Sequence, residues 1–478
     1  MSGKNLNVKE RGGLEHYFQL KEHGTTVKTE IVAGLTTFFT MAYIIFVNPN
    51  MLSMGNSQIF NGVFFATCIS AFIGTILMAF LAKIPFAQAS GMGLNAFFAF
   101  TVMPAMIKVT GKELDVIGQY QCALALVFMS GLLFIFITII GAREAIVRAI
   151  PQNVKIAISG GIGLFLAYLG FQSAHIVVPD PAVQVGLINF SALGDPEMHS
   201  TVMGAILAIL GVFIIAALYK LKVKGSILIG IIITGVLAYF PFGVATMPES
   251  FSINFAAQAK DFMDVSFLKL DFGTLFAGQN LLSTITTVLV LILSFSMVDM
   301  FDTIGTLLGT AGQAGLLDEK GNMPRMKQAL LSDAIATASG ALLGTSTVTT
   351  FVESTSGIAE GGRTGLTSAT TAGCFLLALV AAPFVGLIPG VATAPALIFV
   401  GALMISGLKN MDFDDISEAI PGFLTVAMMP LTYSIANGIG FGLISHCVIK
   451  LLSGKVKETS WITWLLSFFF ILKFFLAV

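Results

Sequence analysis

Apolar stretches of about 20 residues, each long enough for a helix to cross a bilayer's hydrocarbon layer, follow one another along most of this chain with short polar breaks. That recurrence restricts the fold more than any other feature. No water inside the bilayer satisfies backbone N–H and C=O groups, so such a chain must close its hydrogen bonds within helices. The charged fraction, 11%, agrees, since soluble domains carry about 25%. The expected class is an all-α polytopic membrane protein. A net charge of −1 gives no basis for nucleic-acid binding. Cys68, Cys122, Cys374 and Cys447 lie far apart and the five histidines form no cluster, so no disulfide, metal or other cofactor is expected. The polar leader resembles neither a cleavable signal nor an organelle address, which points to a bacterial plasma membrane.

Candidate spans fall near 29–50, 59–82, 88–107, 119–141, 154–173, 201–219 and 225–241, then near 281–310, 328–344, 346–360, 366–387, 392–408, 419–436 and 438–452. Between the two sets of seven, 242–279 reads as an extracytoplasmic connecting segment; 1–28 is a cytoplasmic leader and 460–478 an additional apolar helix. Of the 25 Lys and Arg, all but Lys108, Lys112, Lys260, Lys269 and Lys473 fall on the leader's side of this layout. Positive charge marks the cytoplasmic face, so the N-terminus is expected inside.

The halves echo each other. TEIVAGLTTFFTMAYIIFVNP opens the first half, and STITTVLVLILSFSMVDMFDTIGTLLGTAG opens the second; both are long and carry polar residues. QASGMGLNAFFAF in the third span and TSTVTTFVESTSGIAEGGRTG in the tenth are both short and glycine-broken. Matching interrupted segments of this kind mark the central site of a secondary transporter. SGGIGLFLAYLG, residues 159–170, is read instead as a surface for close helix packing. GMGLNA lacks the strand–helix context of a dinucleotide site and carries no such reading.

A carboxylate inside the hydrocarbon layer costs about 2.5–3.5 kcal/mol on insertion scales, so it usually faces a cavity, pairs or takes up a proton. Asp299 and Asp302 share one face of the eighth span at i, i+3. Two acids crowded in apolar surroundings compete for charge, so at least one is expected to carry a proton, as a proton-coupled carrier requires. Glu353 lies in the broken tenth span. Phe351, two residues earlier, shares its face if the chain is extended there. Asn95 offers both donor and acceptor. Asp333 is read as a cap or an internal pair, and Glu360 with Arg363 as an interfacial pair.

These residues resemble the nucleobase/ascorbate transporter family, and within it the azaguanine-like hypoxanthine–guanine permeases. GLTTFFTMAYIIFVNP, GMGLNAFFAF, SMVDMFDTIGTL and TSTVTTFVESTSGIAEGGRTGLTS carry the likeness. It implies fourteen spans as inverted seven-helix repeats, with short strands in spans three and ten. A core domain would hold residues 29–141 and 280–387, and a gate domain 154–241 and 392–452. It further implies substrate-binding roles for Glu353, Asp302, Phe351, Asn95 and Thr40, and proton-coupling roles for Asp299, Asp302 and Glu353. The chain departs from the uracil-type pattern at Thr306, where a histidine would stand. The expected activity is import of hypoxanthine or guanine by proton symport and an elevator motion, with membrane lipid around the helices and a homodimer through the gate. Carriage of adenine, xanthine or uracil on the same fold, or a cation channel, are the alternatives. No nucleophile–base pair or metal motif supports an enzyme.

Overall fold

The computed structural model describes residues 13–141, 149–181, 184–240, 244–245, 255–277, 281–313, 316, 323, 325–381 and 387–475. Among them, eight helices are long and apolar enough to cross a membrane, and five shorter apolar helices join them. The chain runs α1 (Val27–Met41), α2 (Ile44–Leu52), α3 (Ser57–Leu77), β1 (Gln88–Ser90), α4 (Met92–Phe97), α5 (Met103–Thr110), α6 (Val116–Ile139) and α7 (Gln152–Ser173). It continues through β2 (Val177–Asp180), β3 (Gln184–Leu187), α8 (His199–Lys220), α9 (Ser226–Tyr239), α10 (Phe255–Asp261), α11 (Leu281–Gln313) and α12 (Met326–Leu343). It ends with β4 (Val348–Thr350), α13 (Ser354–Ala359), α14 (Gly365–Ala378), α15 (Gly390–Ile405), α16 (Ile416–Leu431), α17 (Ile435–Leu452) and α18 (Trp461–Phe475).

Helix starts follow local chemistry. Thr26, Asn56 and Asp115 accept backbone N–H groups at the heads of α1, α3 and α6, removing donors that apolar surroundings would leave unmet. The first span is not one helix, as its apolar pattern implies, but breaks at Ala42–Tyr43. The Thr40 hydroxyl bonds back to the Thr36 and Thr37 carbonyls at 3.1 and 2.9 Å, a habit that bends helices, and Pro49 withholds a donor farther on. The β2–β3 hairpin was not anticipated either. It is antiparallel, pairing Val177 with Leu187 and Asp180 with Gln184.

The helices pack as two groups. In one, α1, α2, α3, α6, α11, α12 and α14 surround β1 and β4; in the other, α7, α8, α9, α15, α16 and α17 lie together, with α18 along α17. The seam between them is made by α11 and α4 against α7, α9 against α1, and α15 against α2. The glycine stretch at 159–170 does act in packing: a Cβ on Gly163 would lie 2.6 Å from the Gly401 carbonyl, and one on Gly401 2.3 Å from that of Gly163. Backbones of α7 and α15 therefore touch, as small residues permit.

Glu30 ties the first group's ends together. Its fully buried carboxylate accepts the Arg363, Thr364 and Thr367 backbone N–H groups at 2.9, 3.3 and 3.1 Å, and the Thr364 and Thr367 hydroxyls at 2.9 and 2.6 Å. An acid from α1 thus caps α14, where the helix dipole favours negative charge. Replacing Glu30 by Ala strands these donors. Stability should fall by about 2–4 kcal/mol, read as a lower unfolding midpoint in detergent, with Glu30→Gln losing less. An unchanged midpoint in Glu30→Ala would show that the cap does not hold the group.

Candidate functional site

The site grows from two three-residue strands. β1 and β4 pair antiparallel, Gln88 opposite Thr350, Ala89 opposite Thr349 and Ser90 opposite Val348. Bonds from Gly91 N to Thr347 O at 3.2 Å and from Phe351 N to Ala87 O at 3.0 Å extend the ladder at its ends. A two-stranded ribbon leaves two edges of unpaired backbone, and buried backbone groups need partners. Hydroxyls supply several of them. Thr75 both accepts from Gln88 N and donates to Gln88 O at 2.9 Å. Thr337 donates to Val348 O at 3.2 Å, and Ser354 accepts from Ala87 N at 3.0 Å. Much of the Thr and Ser around this ribbon is therefore structural.

Gly91 closes the ribbon. A Cβ there would lie 2.3 Å from Thr349 Cγ2 and 3.7 Å from Asp302 Oδ2. The backbone thus passes between the opposite strand and an α11 carboxylate, with room for a hydrogen alone. The charges of Asp333 and Glu353 reach Asp302. Asp302 and Glu353 keep partial exposure, whereas Asp299 and Asp333 are fully buried. Asp333 accepts from the Thr303 hydroxyl at 3.0 Å and from Gln88 Nε2 at 3.4 Å, so it links α12, α11 and β1.

Glu353 opens α13 in a helical turn, φ −60° and ψ −17°. The strand ends at Thr350, so Phe351 and Glu353 do not share one extended face, as the sequence spacing suggested; the chain turns between them. Phe351 stays 6% exposed, while Val352 is 51% exposed. Glu353 Oε1 accepts a 2.7 Å bond from the hydroxyl of Tyr43, which lies at the break between α1 and α2.

The other expected residues are engaged by protein. Asn95 is fully buried on α4; it accepts from the Ser346 hydroxyl, and its amide donates to Ser90 O at 3.5 Å. It braces the approach to both strands. Thr40 is half-buried and bonded within α1. Behind the ribbon, Asn48 donates to Thr67 and Thr345 at 2.7 and 2.9 Å, and Ser90 bonds Thr345 at 2.7 Å. Sequence reasoning missed Tyr43, Gln88 and Asn48. An amide inside an apolar run could have flagged Gln88 and Asn48; nothing local marks Tyr43. A separate cleft of about 170 Å³ opens at the seam of the two groups, lined in part by Asn50, Met51, Phe100, Ser173 and Thr393, and holds none of these acids.

Comparison with known proteins adds a frame. The profile described as "Permease family" matches residues 28–441. The chain is 39% identical over 470 residues to the guanine/hypoxanthine permease PbuO of Bacillus subtilis, covering 96% of this chain and 100% of that one. It is 38% identical over 468 residues to the adenine permease AdeP of Escherichia coli, covering 97% and 96%. The transmembrane domain of a cyanobacterial bicarbonate transporter, BicA, shares the fold at a TM-score of 0.62 and 16% identity, over 86% of this chain and 97% of that one.

The close approach at Gly91 is testable. Gly91→Ala should push the strands apart at a cost of about 1–3 kcal/mol, lowering the unfolding midpoint. Thr349→Ser, which deletes Cγ2 itself, should restore most of the loss in the double variant. Equal midpoints for Gly91→Ala and the unaltered protein would mean that the ribbon is not tightly closed.

Proposed function

We propose that this chain, which belongs to the permease family as a nucleobase/ascorbate transporter, imports purine nucleobases across the plasma membrane, with hypoxanthine and guanine as fitting substrates and the proton as coupling ion. The observation that carries this reading is the placement of two partly exposed acidic residues at one closed backbone ribbon, Asp302 on α11 facing Gly91 and Glu353 at the head of α13 just after β4. Guanine and hypoxanthine present a ring N–H, and guanine an exocyclic amine besides; carboxylate oxygens accept from such groups. Charge-assisted bonds of this kind are roughly twice as strong as neutral ones. Phe351 offers the flat apolar face. Asn95 and Thr40 support the site from behind, their polar atoms being bonded to protein. Asp299, one turn from Asp302 on α11, tunes the acid pair as a proton enters and leaves.

The packing into two groups supports a sliding motion between them. In this reading there are fourteen spans in inverted seven-helix repeats. The group around β1 and β4 is the core that carries the base, and the group around α7 and α15 is the gate, through which two copies pair. The core slides against the gate as an elevator, with the N-terminus in the cytoplasm. Among the described residues, one ion pair crosses between the groups: Lys224, in the turn between α8 and α9, lies 3.0 Å from Glu360 at the end of α13. An elevator stroke must break it.

A second substrate reading has a specific basis. The named adenine and guanine/hypoxanthine permeases are almost equally similar to this chain, at 38% and 39% identity. Adenine presents an acceptor at the ring nitrogen where guanine presents a donor, so a protonated acid would have to meet it.

Uptake of labelled hypoxanthine by a host lacking its own purine carriers tests the proposal. Unlabelled guanine should compete at micromolar levels and a protonophore should stop uptake. Glu353→Gln or Asp302→Asn should lower uptake more than about tenfold, as loss of a charge-assisted bond implies. Undiminished uptake by both variants, or better competition by adenine than by guanine, would overturn the assignment. Tethering Lys224→Cys to Glu360→Cys with a short bis-maleimide should halt transport while the single variants still work; continued transport would exclude the elevator.

A further inference from the structure

The geometry of Tyr43 is specific. Its side chain is 1% exposed, and its hydroxyl reaches Glu353 Oε1 at 2.7 Å across 310 positions of sequence. A tyrosine hydroxyl among apolar side chains needs a partner, and this one comes from the opposite half of the chain. Glu353 for its part makes no side-chain capping bond to the short α13 that it opens. A free carboxylate at such a turn could swing about its terminal torsion, which is broad for Glu. We propose that Tyr43 is the positioning residue for Glu353: it holds Oε1, fixes the plane of the carboxylate, and leaves Oε2 as the single oxygen presented to the base.

This inference rests on the reading that Glu353 contacts the base, and it deepens that reading. With both oxygens free, a carboxylate can accept two parallel N–H groups, the fork seen with guanidinium partners. With Oε1 held, Oε2 meets one N–H of the base, so the single ring N–H of hypoxanthine is matched directly and the neighbouring amine of guanine falls to Asp302. Tyr43 also sits at the Ala42–Tyr43 break, between α1, whose Glu30 caps α14, and α2, whose Asn48 bonds Thr345 just before β4. Both flanks are thereby tied to the second half, so the hydroxyl is delivered from a braced position rather than from a mobile loop.

Tyr43→Phe removes one oxygen and keeps the ring. It should raise the KM for hypoxanthine by about tenfold, as loss of one good hydrogen bond implies, while maximal uptake stays within about twofold. In purified protein, labelling of Glu353 by a carbodiimide, mapped by mass spectrometry with Glu353→Gln as the blank, should speed up because Oε1 is released. Glu353→Asp, which draws the carboxylate out of Tyr43's reach, should raise KM as well, and adding Tyr43→Phe to it should change nothing more. Unchanged KM and labelling in a Tyr43→Phe protein of normal melting temperature, or additive effects in the double variant, would overturn the proposal. If the unaltered protein carries no purine, the function above falls, and the labelling rate alone decides whether Tyr43 holds Glu353.

Discussion

Three residues of β1 and three of β4 lie buried in a helical protein, and the rest of the site depends on how their backbone is satisfied. In apolar surroundings each unmet N–H or C=O costs several kcal/mol, so a lone ribbon could not persist on its ladder alone. Hydroxyls from Thr75, Thr337 and Ser354 take up edge groups, and Asn95 bonds the last residue of β1 and Ser346 ahead of β4. These side chains come from separate helices, which makes the ribbon a clamp on the helices around it. Its tight closure at Gly91 brings the backbone close to Asp302.

The same arrangement sorts the acids. Asp333 is buried and held by Thr303 and Gln88, and Glu30 is buried and capped onto α14; these two stabilise the fold. Asp302 and Glu353 keep partial exposure at the ribbon. A carboxylate tolerated inside a membrane protein needs a partner or a cavity. In the proposed function the missing partner is a flat, N–H-bearing base, and Tyr43 fixes one of the two acids to receive it. Relatives named as purine-base permeases give that reading its chemical class.

Much of this was legible from single elements of sequence. Apolar run length announced the helices, and the polar second half of the eighth span marked α11 with Asp299 and Asp302. The glycine stretch at 159–170 announced close packing against another helix. Glu353 stood out because a carboxylate in an apolar, glycine-broken run has few bland explanations. The short strands were expected from family resemblance, not from residue pattern, since VTT and QAS are too short for any periodicity to speak. What stayed hidden was partnership. Tyr43 and Glu353 lie 310 positions apart, and Glu30 and Thr367 lie 337 apart; nothing local in either segment names the other. The break at Ala42–Tyr43 was hidden for a different reason: apolar periodicity runs through it, and the cause is a hydroxyl bonding backward. The supposed common face of Phe351 and Glu353 failed because the strand stops at Thr350.

A density map of the protein with hypoxanthine or guanine bound tests the central claim most directly. The account predicts a base against the β1–β4 ribbon, one edge within hydrogen-bond distance of Glu353 and Asp302, and its plane beside Phe351. A base seated instead in the cleft lined by Asn50, Met51, Phe100, Ser173 and Thr393, with both carboxylates untouched, would contradict it.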